Sequence, residues 1–172
     1  TFKLGGPQAR FVALANHFGG EYRHIIVAMD NQFPAADLLE PQVNFELMPL
    51  TIVKGGAFAN RQAFRQVLKQ VKPDLVLSYN WGAIEWALAN VPKLCPHVQV
   101  EDGFGPDEAV SQLPRRVLTR KLLFWLTSTK LVVPSRLLQK LATEVWRVPR
   151  SKCSYIANGV ALTLKAKEFS TT

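Results

Sequence analysis

Two glycines near the start of the chain, Gly5 and Gly6, precede a proline and an apolar helical pattern. Glycine permits positive φ angles and lets a ligand come close to the backbone, and proline suits the first turn of a helix. Free N–H groups and the positive end of the helix would then point to one place, which favours an anion. If a strand ends at these glycines, that place lies at the carboxyl edge of an α/β sheet, where ligands bind. The pair predicts either a phosphate site or a simple turn.

Polar side chains also follow several predicted strands, at Asp30, Tyr79, Asn80, Glu101, Asp102 and Ser135. Because the carboxyl ends of parallel strands share one edge of a sheet, we expect these side chains to converge on a cleft. Aromatic faces and amide groups suit carbohydrate recognition, so Tyr79, Asn80 and Trp81 are candidate acceptor-binding residues. The alternative for Trp81 is packing between a helix and the sheet.

A basic segment at 114–126 combines Arg115, Arg116, Arg120 and Lys121 with leucine, phenylalanine and tryptophan. Such a composition is typical of a helix that lies at a membrane interface. It is equally typical of an amphipathic helix whose apolar stripe rests on the sheet. We expect the apolar side to face the sheet and the four basic residues to form a membrane or anion surface.

Hydrophobic periodicity predicts the elements that must position these residues. Strands are predicted at 24–29, 43–50, 75–79, 98–101, 130–133 and 154–156, and helices at 9–18, 58–71, 83–90, 114–126 and 136–146. Ser135 is placed to cap the last of these helices. The alternation predicts an α/β domain of three layers, with a mainly parallel, Rossmann-like sheet covered by helices on both faces.

The bulk composition narrows the class of protein. The 172 residues contain 48% hydrophobic and 20% charged residues, which is typical of a globular domain. No apolar run is long enough to cross a bilayer, and no signal peptide is recognisable. Cys95 and Cys153 lie outside any metal-ligand spacing, so we expect buried thiols in a reducing cytosol and no metal site. The chain begins almost inside an element, as an excised or truncated fragment would.

The charge is uneven along the chain. The whole sequence has a net charge of +8, and residues 115–152 alone carry ten basic residues against Glu144. This asymmetry favours a polyanionic partner, which could be nucleic acid, anionic lipid or a phosphorylated substrate. Nucleic acid is the weakest of these candidates, because it would require exposed aromatics among the basic groups. We expect Phe124 and Trp125 to lie mostly in the core instead.

Four segments occur in an order and spacing that match one family: Leu4 to Arg10, Pro73 to Ser78, Val132 to Ser135, and Val148 through Asn158-Gly159-Val160. The chain resembles the N-terminal domain of family 4 glycosyltransferases, which have the GT-B fold. The resemblance implies that residues 1–160 are the acceptor-side domain and that 161–172 begin an interdomain linker. A C-terminal donor-binding domain would be absent, and this domain alone would be inactive.

The resemblance also implies an activity. It is that of a retaining, hexosyl-transferring bacterial enzyme that moves a sugar from a nucleotide diphosphate donor to a glycan or lipid-linked acceptor. Such an enzyme would serve polysaccharide or lipopolysaccharide synthesis, in the cytoplasm or peripherally on the inner membrane face. No cofactor is implied for this domain. The rival hypothesis is a non-catalytic Rossmann-like module that binds a nucleotide or a glycan.

Several residues take roles from the family pattern. Gly5 and Gly6 match the loop that approaches the donor diphosphate, and Arg10 follows one turn later as an acceptor or phosphate contact. Glu101 and Asp102 stand where many relatives carry a histidine motif, so these carboxylates are the catalytic candidates. The same loop carries the Asp107-Glu108 pair, in which Asp107 either binds acceptor hydroxyls or is solvated.

Overall fold

The computed structural model describes residues 1–53, 55–104, 108 and 111–159. Among the described residues, six strands alternate with five α-helices, as the periodicity predicts. The strands are β1 (Arg23–Ile26), β2 (Asn44–Leu47), β3 (Val76–Tyr79), β4 (His97–Val100), β5 (Lys130–Val133) and β6 (Cys153–Tyr155). The helices are α1 (Gly6–Phe18), α2 (Ala57–Val71), α3 (Glu85–Ala89), α4 (Pro114–Leu126) and α5 (Arg136–Glu144).

All strand pairs are parallel, which confirms the predicted α/β class. The strands form two sheets, one of β1 and β2 and one with the order β3–β4–β5–β6. In the larger sheet Val76 pairs with His97, Val98 with Lys130 and Leu131 with Cys153. This order brings the carboxyl ends of β3 to β6 to one edge, where the loops that follow them meet α1.

In the structure, no strand ends at Gly5 among the described residues. Phe2 donates its N–H to the carbonyl of Gln32 and accepts the N–H of Ala35, so its backbone bonds to a loop rather than to a ladder. Gly5 has a φ of −161°, an extended conformation that any residue adopts, and Gly6 is already the first residue of α1. Neither glycine is therefore required by a positive φ angle, and the presence of two glycines here has another cause.

The main core lies between the large sheet and three helices. Leu131 and Val133 of β5 face Leu123 and Phe124 of α4, and α3 and α5 complete the cluster with Ala87, Leu138, Ala142 and Trp146. Burial of each large apolar side chain contributes about 1.5–3 kcal/mol. The predicted cap is confirmed, since Ser135 Oγ accepts the N–H of Leu138 at 3.1 Å and starts α5. These contacts fix α4 and α5 against the sheet.

A second core joins α2 to α3. The rings of Phe64 and Trp86 stack with their centroids 4.5 Å apart and their planes 13° apart. Leu68 and Cys95 are buried beside them. This packing holds α2 and α3 together on their side of the domain.

Candidate functional site

Four segments that are far apart in sequence meet at the carboxyl edge of the large sheet. Arg10 projects from the second turn of α1, Tyr79 ends β3, Asp102 follows β4, and Asn158 follows β6. Arg10 contacts all three of the others. The predicted convergence is therefore observed for Tyr79 and Asp102. Arg10, which the family pattern singled out, joins them, and Asn158 is an addition that the sequence did not lead us to expect in this role.

Arg10 and Asp102 form a close ion pair. Arg10 Nη2 donates to Asp102 Oδ2 at 2.9 Å, and Arg10 Nη1 lies 2.8 Å from Asp102 Oδ1. Arg10 Nη1 directs its hydrogen bond to the side-chain oxygen of Asn158 instead. Asp102 Oδ1 consequently accepts no aligned hydrogen bond from the residues that the structure describes. Oδ1 itself is buried, so a substrate hydroxyl would meet the carboxylate at the 12% of the Asp102 side chain that is exposed.

Asn80 holds the loop that carries Asp102. Its side-chain oxygen accepts the N–H of Asp102 at 2.9 Å, and its carbonyl accepts from Gln99 Nε2 at 2.9 Å. Asn80 has φ 57° and ψ −179°, a region that is strained for residues other than glycine. The two hydrogen bonds maintain that conformation. Strained backbone of this kind clusters at functional sites, which fits the position of Asn80 beside Asp102.

Tyr79 forms the wall of the cluster. The guanidinium carbon of Arg10 lies 6.0 Å from the centre of its ring. Burial raises the pKa of the Tyr79 phenol, the Arg10 charge lowers it, and the Asp102 charge raises it. The phenol is thus neutral at physiological pH and is available as a hydrogen-bond donor or acceptor.

Glu101 does not share the cleft with Asp102. Successive strand residues point to opposite faces, so Glu101 joins His97 and Gln99 on the helix-covered face of β4. Gln99 Nε2 lies 3.4 Å from Glu101 Oε1, and Arg120 Nε lies 3.8 Å from the same oxygen. Burial raises the pKa of Glu101 to about 7, although the Arg120 charge lowers it. With a side chain 1% exposed, Glu101 cannot touch a substrate, and the expectation that it is catalytic is wrong.

The same buried face contains a group of ion pairs. Arg120 donates to both carboxylate oxygens of Glu108 at 3.2 Å, and Arg116 Nη1 donates to Glu108 Oε2 at 3.0 Å. The guanidinium carbon of Arg120 lies 4.9 Å from the Trp81 ring and 4.6 Å from the Trp146 ring. Burial alone would raise the pKa of Glu108, but the hydrogen bonds from Arg120 and Arg116 lower it below its usual value.

These contacts correct three expectations. Arg120 is 0% exposed, and Arg116 is nearly buried and bonded to Glu108, so neither belongs to a membrane or anion surface. Trp81 lies against Arg116 and Arg120 and packs on the main core, so it does not offer a ring to an acceptor sugar. The physical reason is that Arg116 and Arg120 share the Glu108 carboxylate inside the domain and Arg120 also faces Glu101, which compensates the cost of burying them.

The outward side of α4 is largely apolar. We call it the α4 outer face, and it consists of Leu118, Leu122, Trp125 and Leu126. Trp125 is 61% and Leu126 77% exposed, which makes the expectation of a core-bound Trp125 wrong, whereas Leu123 of the same helix packs on the sheet as expected. Phe124 is buried as expected. Arg115 and Lys121 remain exposed on the same helix.

The N-terminus of α1 is open. Gly5 is its N-cap and provides no side-chain cap, and Gly6 and Arg10 lie one turn apart on the same face of the helix. A Cβ added at Gly6 would meet no atom of the described protein within 4 Å. The space beside Gly6 is thus available to a ligand close to the backbone.

Some expected features lie outside the described residues, namely Asp107 and the segment 160–172. Within the described part of the chain, no group of three histidine, cysteine or acidic residues could hold a metal ion. In that same part, no helix is long and apolar enough to span a bilayer. The two cysteines are buried and unpaired.

The family follows from a comparison of the sequence. The family model described as Glycosyltransferase Family 4 matches residues 4–164, which is nearly the entire chain. The chain belongs to glycosyltransferase family 4. The family 4 match begins at Leu4, just before the glycine pair, and includes every residue of the Arg10 cluster. The α/β architecture with parallel strands is that of a Rossmann-like half of a GT-B fold.

Two further comparisons accompany this match. The solved S. aureus MnaA–UDP co-structure aligns with this family 4 domain at a TM-score of 0.48 and 16% sequence identity. The alignment covers 77% of this chain and 42% of the MnaA chain, so this chain spans less than half the length of that protein. No curated protein matches the sequence significantly.

Sequence reasoning missed Asn158 and Glu108 as structural partners. Asn158 was visible only as part of an Asn-Gly pair after the last strand, and Glu108 only as a polar loop residue. Their partners lie 148 and 12 positions away, respectively. The sequence contained one signal for a shared partner of two arginines: Arg116 and Arg120 are four residues apart and therefore lie on one face of α4.

Proposed function

We propose that residues 1–160 form the acceptor-side domain of a retaining, hexosyl-transferring glycosyltransferase, and that 161–172 begin the linker to a donor-binding domain. The enzyme would move a sugar from a nucleotide diphosphate donor to a glycan or lipid-linked acceptor in bacterial cell-envelope synthesis. The observation that carries this proposal is the meeting of Arg10, Tyr79, Asn80 and Asp102 beside the open N-terminus of α1. Family membership supports it.

Each group has a chemical role in this proposal. Asp102 presents its carboxylate to the acceptor hydroxyl through the 12% of its side chain that remains exposed. The N–H groups at the start of α1 face the diphosphate, whose negative charge grows as the sugar leaves. Arg10, four residues after Gly6, lies between these two positions and adds positive charge. Tyr79 closes the side of the acceptor position.

The test uses the natural full-length protein and a Gly6→Ala variant. Release of nucleoside diphosphate is measured from UDP-, GDP- and ADP-sugars with glycan and lipid-linked acceptors. A Cβ at Gly6 meets no protein atom, so the variant should keep its unfolding midpoint. If a diphosphate lies against this backbone, however, the variant should lose at least about tenfold in kcat/KM, or about 1.4 kcal/mol of transition-state stabilisation.

Two controls sharpen this test. Asp102→Asn should lower the rate while leaving donor binding intact, and Lys3→Ala, on the exposed segment before the glycines, should leave both unchanged. Full transfer by the Gly6 and Asp102 variants would refute the assigned roles. Binding of nucleotide sugars without any transfer would favour the rival, a non-catalytic binding module. The anomeric configuration of the product tests retention.

We further propose that the domain binds peripherally to the inner face of the membrane through the α4 outer face. Exposed leucines and a tryptophan on one side of a helix suit the acyl boundary of a bilayer, and tryptophan favours the interface. Arg115 and Lys121 flank this face, and each contributes about 1 kcal/mol near an anionic leaflet.

Vesicle sedimentation tests this second proposal. The protein should pellet with anionic vesicles and less at high salt, and Leu122→Glu should abolish the pelleting. Leu137→Glu is the matched control, because Leu137 is equally an exposed leucine, on α5. Equal pelleting of both variants, or of the protein with neutral and anionic vesicles, would contradict the proposed face.

A further inference from the structure

A row of buried polar side chains crosses one face of the large sheet. Ser78 of β3 pairs with Gln99 of β4 in the strand register, and His97 lies two positions before Gln99 on the same face of β4. Thr129 completes the row just before β5. All four side chains are at most 3% exposed. Apolar residues would fill this space without any cost of desolvation, so burial alone does not account for the row.

The hydrogen bonds along the row run in one direction. Gln99 Nε2 donates to the carbonyl of Asn80 at 2.9 Å and lies 3.4 Å from Glu101 Oε1, so the other end of the amide, Oε1, is an acceptor. Ser78 donates its hydroxyl hydrogen to Gln99 Oε1. The Ser78 oxygen lies 2.7 Å from His97 Nε2 and therefore accepts the hydrogen of that ring nitrogen.

The His97 ring is held in one tautomer as a result. Burial lowers the pKa of His97 to about 4, so the ring is neutral at physiological pH and carries one hydrogen. That hydrogen lies on Nε2, and Nδ1 is left to accept from the Thr129 hydroxyl 3.5 Å away. The row thus has a defined order of donors, from Thr129 through His97 and Ser78 to Gln99.

The row ends at the strained residue of the candidate site. Asn80 has a φ of 57°, and its carbonyl is the group to which Gln99 donates. The side-chain oxygen of Asn80 in turn accepts the N–H of Asp102 at 2.9 Å. Gln99 is 0% exposed and cannot touch a substrate, so it can act on the Asp102 loop only through Asn80.

We propose that Gln99 is a positioning residue for Asp102. Ser78 and His97 fix the orientation of the Gln99 amide, and this amide fixes the backbone of Asn80. The Asn80 side chain then fixes the start of the loop that carries Asp102. This coupling is a property of the folded domain, and only its consequence for turnover rests on the proposed function.

NMR of the His97 ring nitrogens in the 172-residue chain tests the order of donors. Their chemical shifts should show the hydrogen on Nε2. A hydrogen on Nδ1 would make Ser78 the donor to His97 and leave Gln99 Oε1 without a donor. That result would overturn the proposal without any variant having to fold.

Amide hydrogen exchange measures the coupling itself. The Asp102 amide is protected by its hydrogen bond to Asn80, and Gln99→Met keeps the length of the side chain but removes the amide. This variant should raise the Asp102 exchange rate about tenfold relative to the amides of β5, as the loss of one hydrogen bond predicts. Ser78→Ala should give a smaller rise. Combining the two changes should add little to Gln99→Met, because Ser78 acts through Gln99.

Asn90→Leu is the matched control. Asn90 is also a buried amide, and it binds the N–H of Leu94 and the carbonyl of Cys95 in the loop before β4. This variant should leave the Asp102 amide unchanged. An Asp102 exchange rate that responds to neither Gln99→Met nor Ser78→Ala, or that rises as much in Asn90→Leu, would overturn the coupling.

Turnover of the natural full-length protein measures the consequence. Gln99→Met should lower kcat about tenfold with little change in KM for the nucleotide sugar, whereas Asn90→Leu should leave kcat unchanged. An unchanged kcat for Gln99→Met, in a protein that transfers sugar, would overturn the role of Gln99 in turnover. If the full-length protein transfers no sugar, the proposed function fails, while the exchange rate of the Asp102 amide still decides the coupling.

Discussion

Replacement of Arg120 by methionine is the sharpest test of the buried ion pairs. The variant keeps the length and apolar stem of the side chain but removes the guanidinium. Glu108 then loses two hydrogen bonds of 3.2 Å, Glu101 loses its nearest cation, and the Trp81 and Trp146 rings lose a guanidinium carbon within 5 Å. Removal of one partner from a buried pair costs about 3–5 kcal/mol.

The size of this loss is measurable against the stability of an ordinary domain. A domain of this kind is stable by about 5–15 kcal/mol. With a urea m-value of about 2 kcal/mol/M, the Arg120→Met change should move the unfolding midpoint, followed by far-UV circular dichroism, down by about 2 M. Arg115→Met on the same helix is the matched control, and because Arg115 is exposed it should cost less than about 0.5 kcal/mol.

The pH dependence of the Arg120→Met effect has a definite sign. Arg120 lowers the pKa of both Glu101 and Glu108 in the native protein. Without it the pKa of Glu101, already raised by burial, rises further, and the pKa of Glu108 is lowered less, so the loss of stability grows as pH rises. The difference from wild type should be larger at pH 8 than at pH 5.5.

A double variant removes the remaining ambiguity. Glu101→Gln in the Arg120→Met background should recover about 1 kcal/mol or more, because it removes a buried carboxylate that has lost the Arg120 cation. Equal costs for the changes at Arg120 and Arg115, or a purely additive double variant, would refute the buried arrangement. Arg120 would then belong to the basic surface that the sequence alone suggests.

Three other predictions concern buried and capping residues. Burial raises the pKa of Glu101 to about 7, so the stability of the protein falls by about 3 kcal/mol as pH rises from about 4.5 to 7. Glu101→Gln should remove this fall, which urea titrations at pH 5 and 8 would measure. Burial lowers the pKa of His97 to about 4, so its contribution is complete above about pH 6.5 and is lost on acidification towards pH 4; NMR titration of the His97 ring should give a midpoint well below 6.5. Ser135→Ala should cost about 1 kcal/mol by loss of the cap on Leu138, measured by thermal unfolding, and Ser135→Thr should retain most of it.

Much of the fold was predictable because periodicity reports burial directly. Continuous apolar runs identified the strands, and a 3.6-residue pattern identified the helices. The sequence left open whether a strand ends at Gly5, since four residues contain too little pattern, and hydrogen bonds between Phe2 and the loop at Gln32 and Ala35 decide its conformation. The division into two sheets likewise depends on pairing partners rather than on any local signal.

The candidate site was predictable in its location but not in its connections. The rule that ligands bind at the carboxyl ends of parallel strands was sufficient to gather Tyr79, Asn80 and Asp102, whereas Arg10 came from the resemblance to the family. Separation of Glu101 from Asp102 follows from strand alternation, a signal that was present in the sequence. The sequence contained no such signal for the role of Asn158, because its partner Arg10 is 148 positions away and only the folded chain brings the two together.

The sequence by itself determined the order of helices and strands, the family, and the edge of the sheet at which polar residues gather. These properties depend on local patterns and on motif order. Only the tertiary structure decided which side chains of α4 are buried. Arg120 is buried between two tryptophans and Glu108, while Trp125 on the same helix faces solvent. The physical reason is that a charge is buried where a partner compensates its desolvation, and such partners come from distant segments.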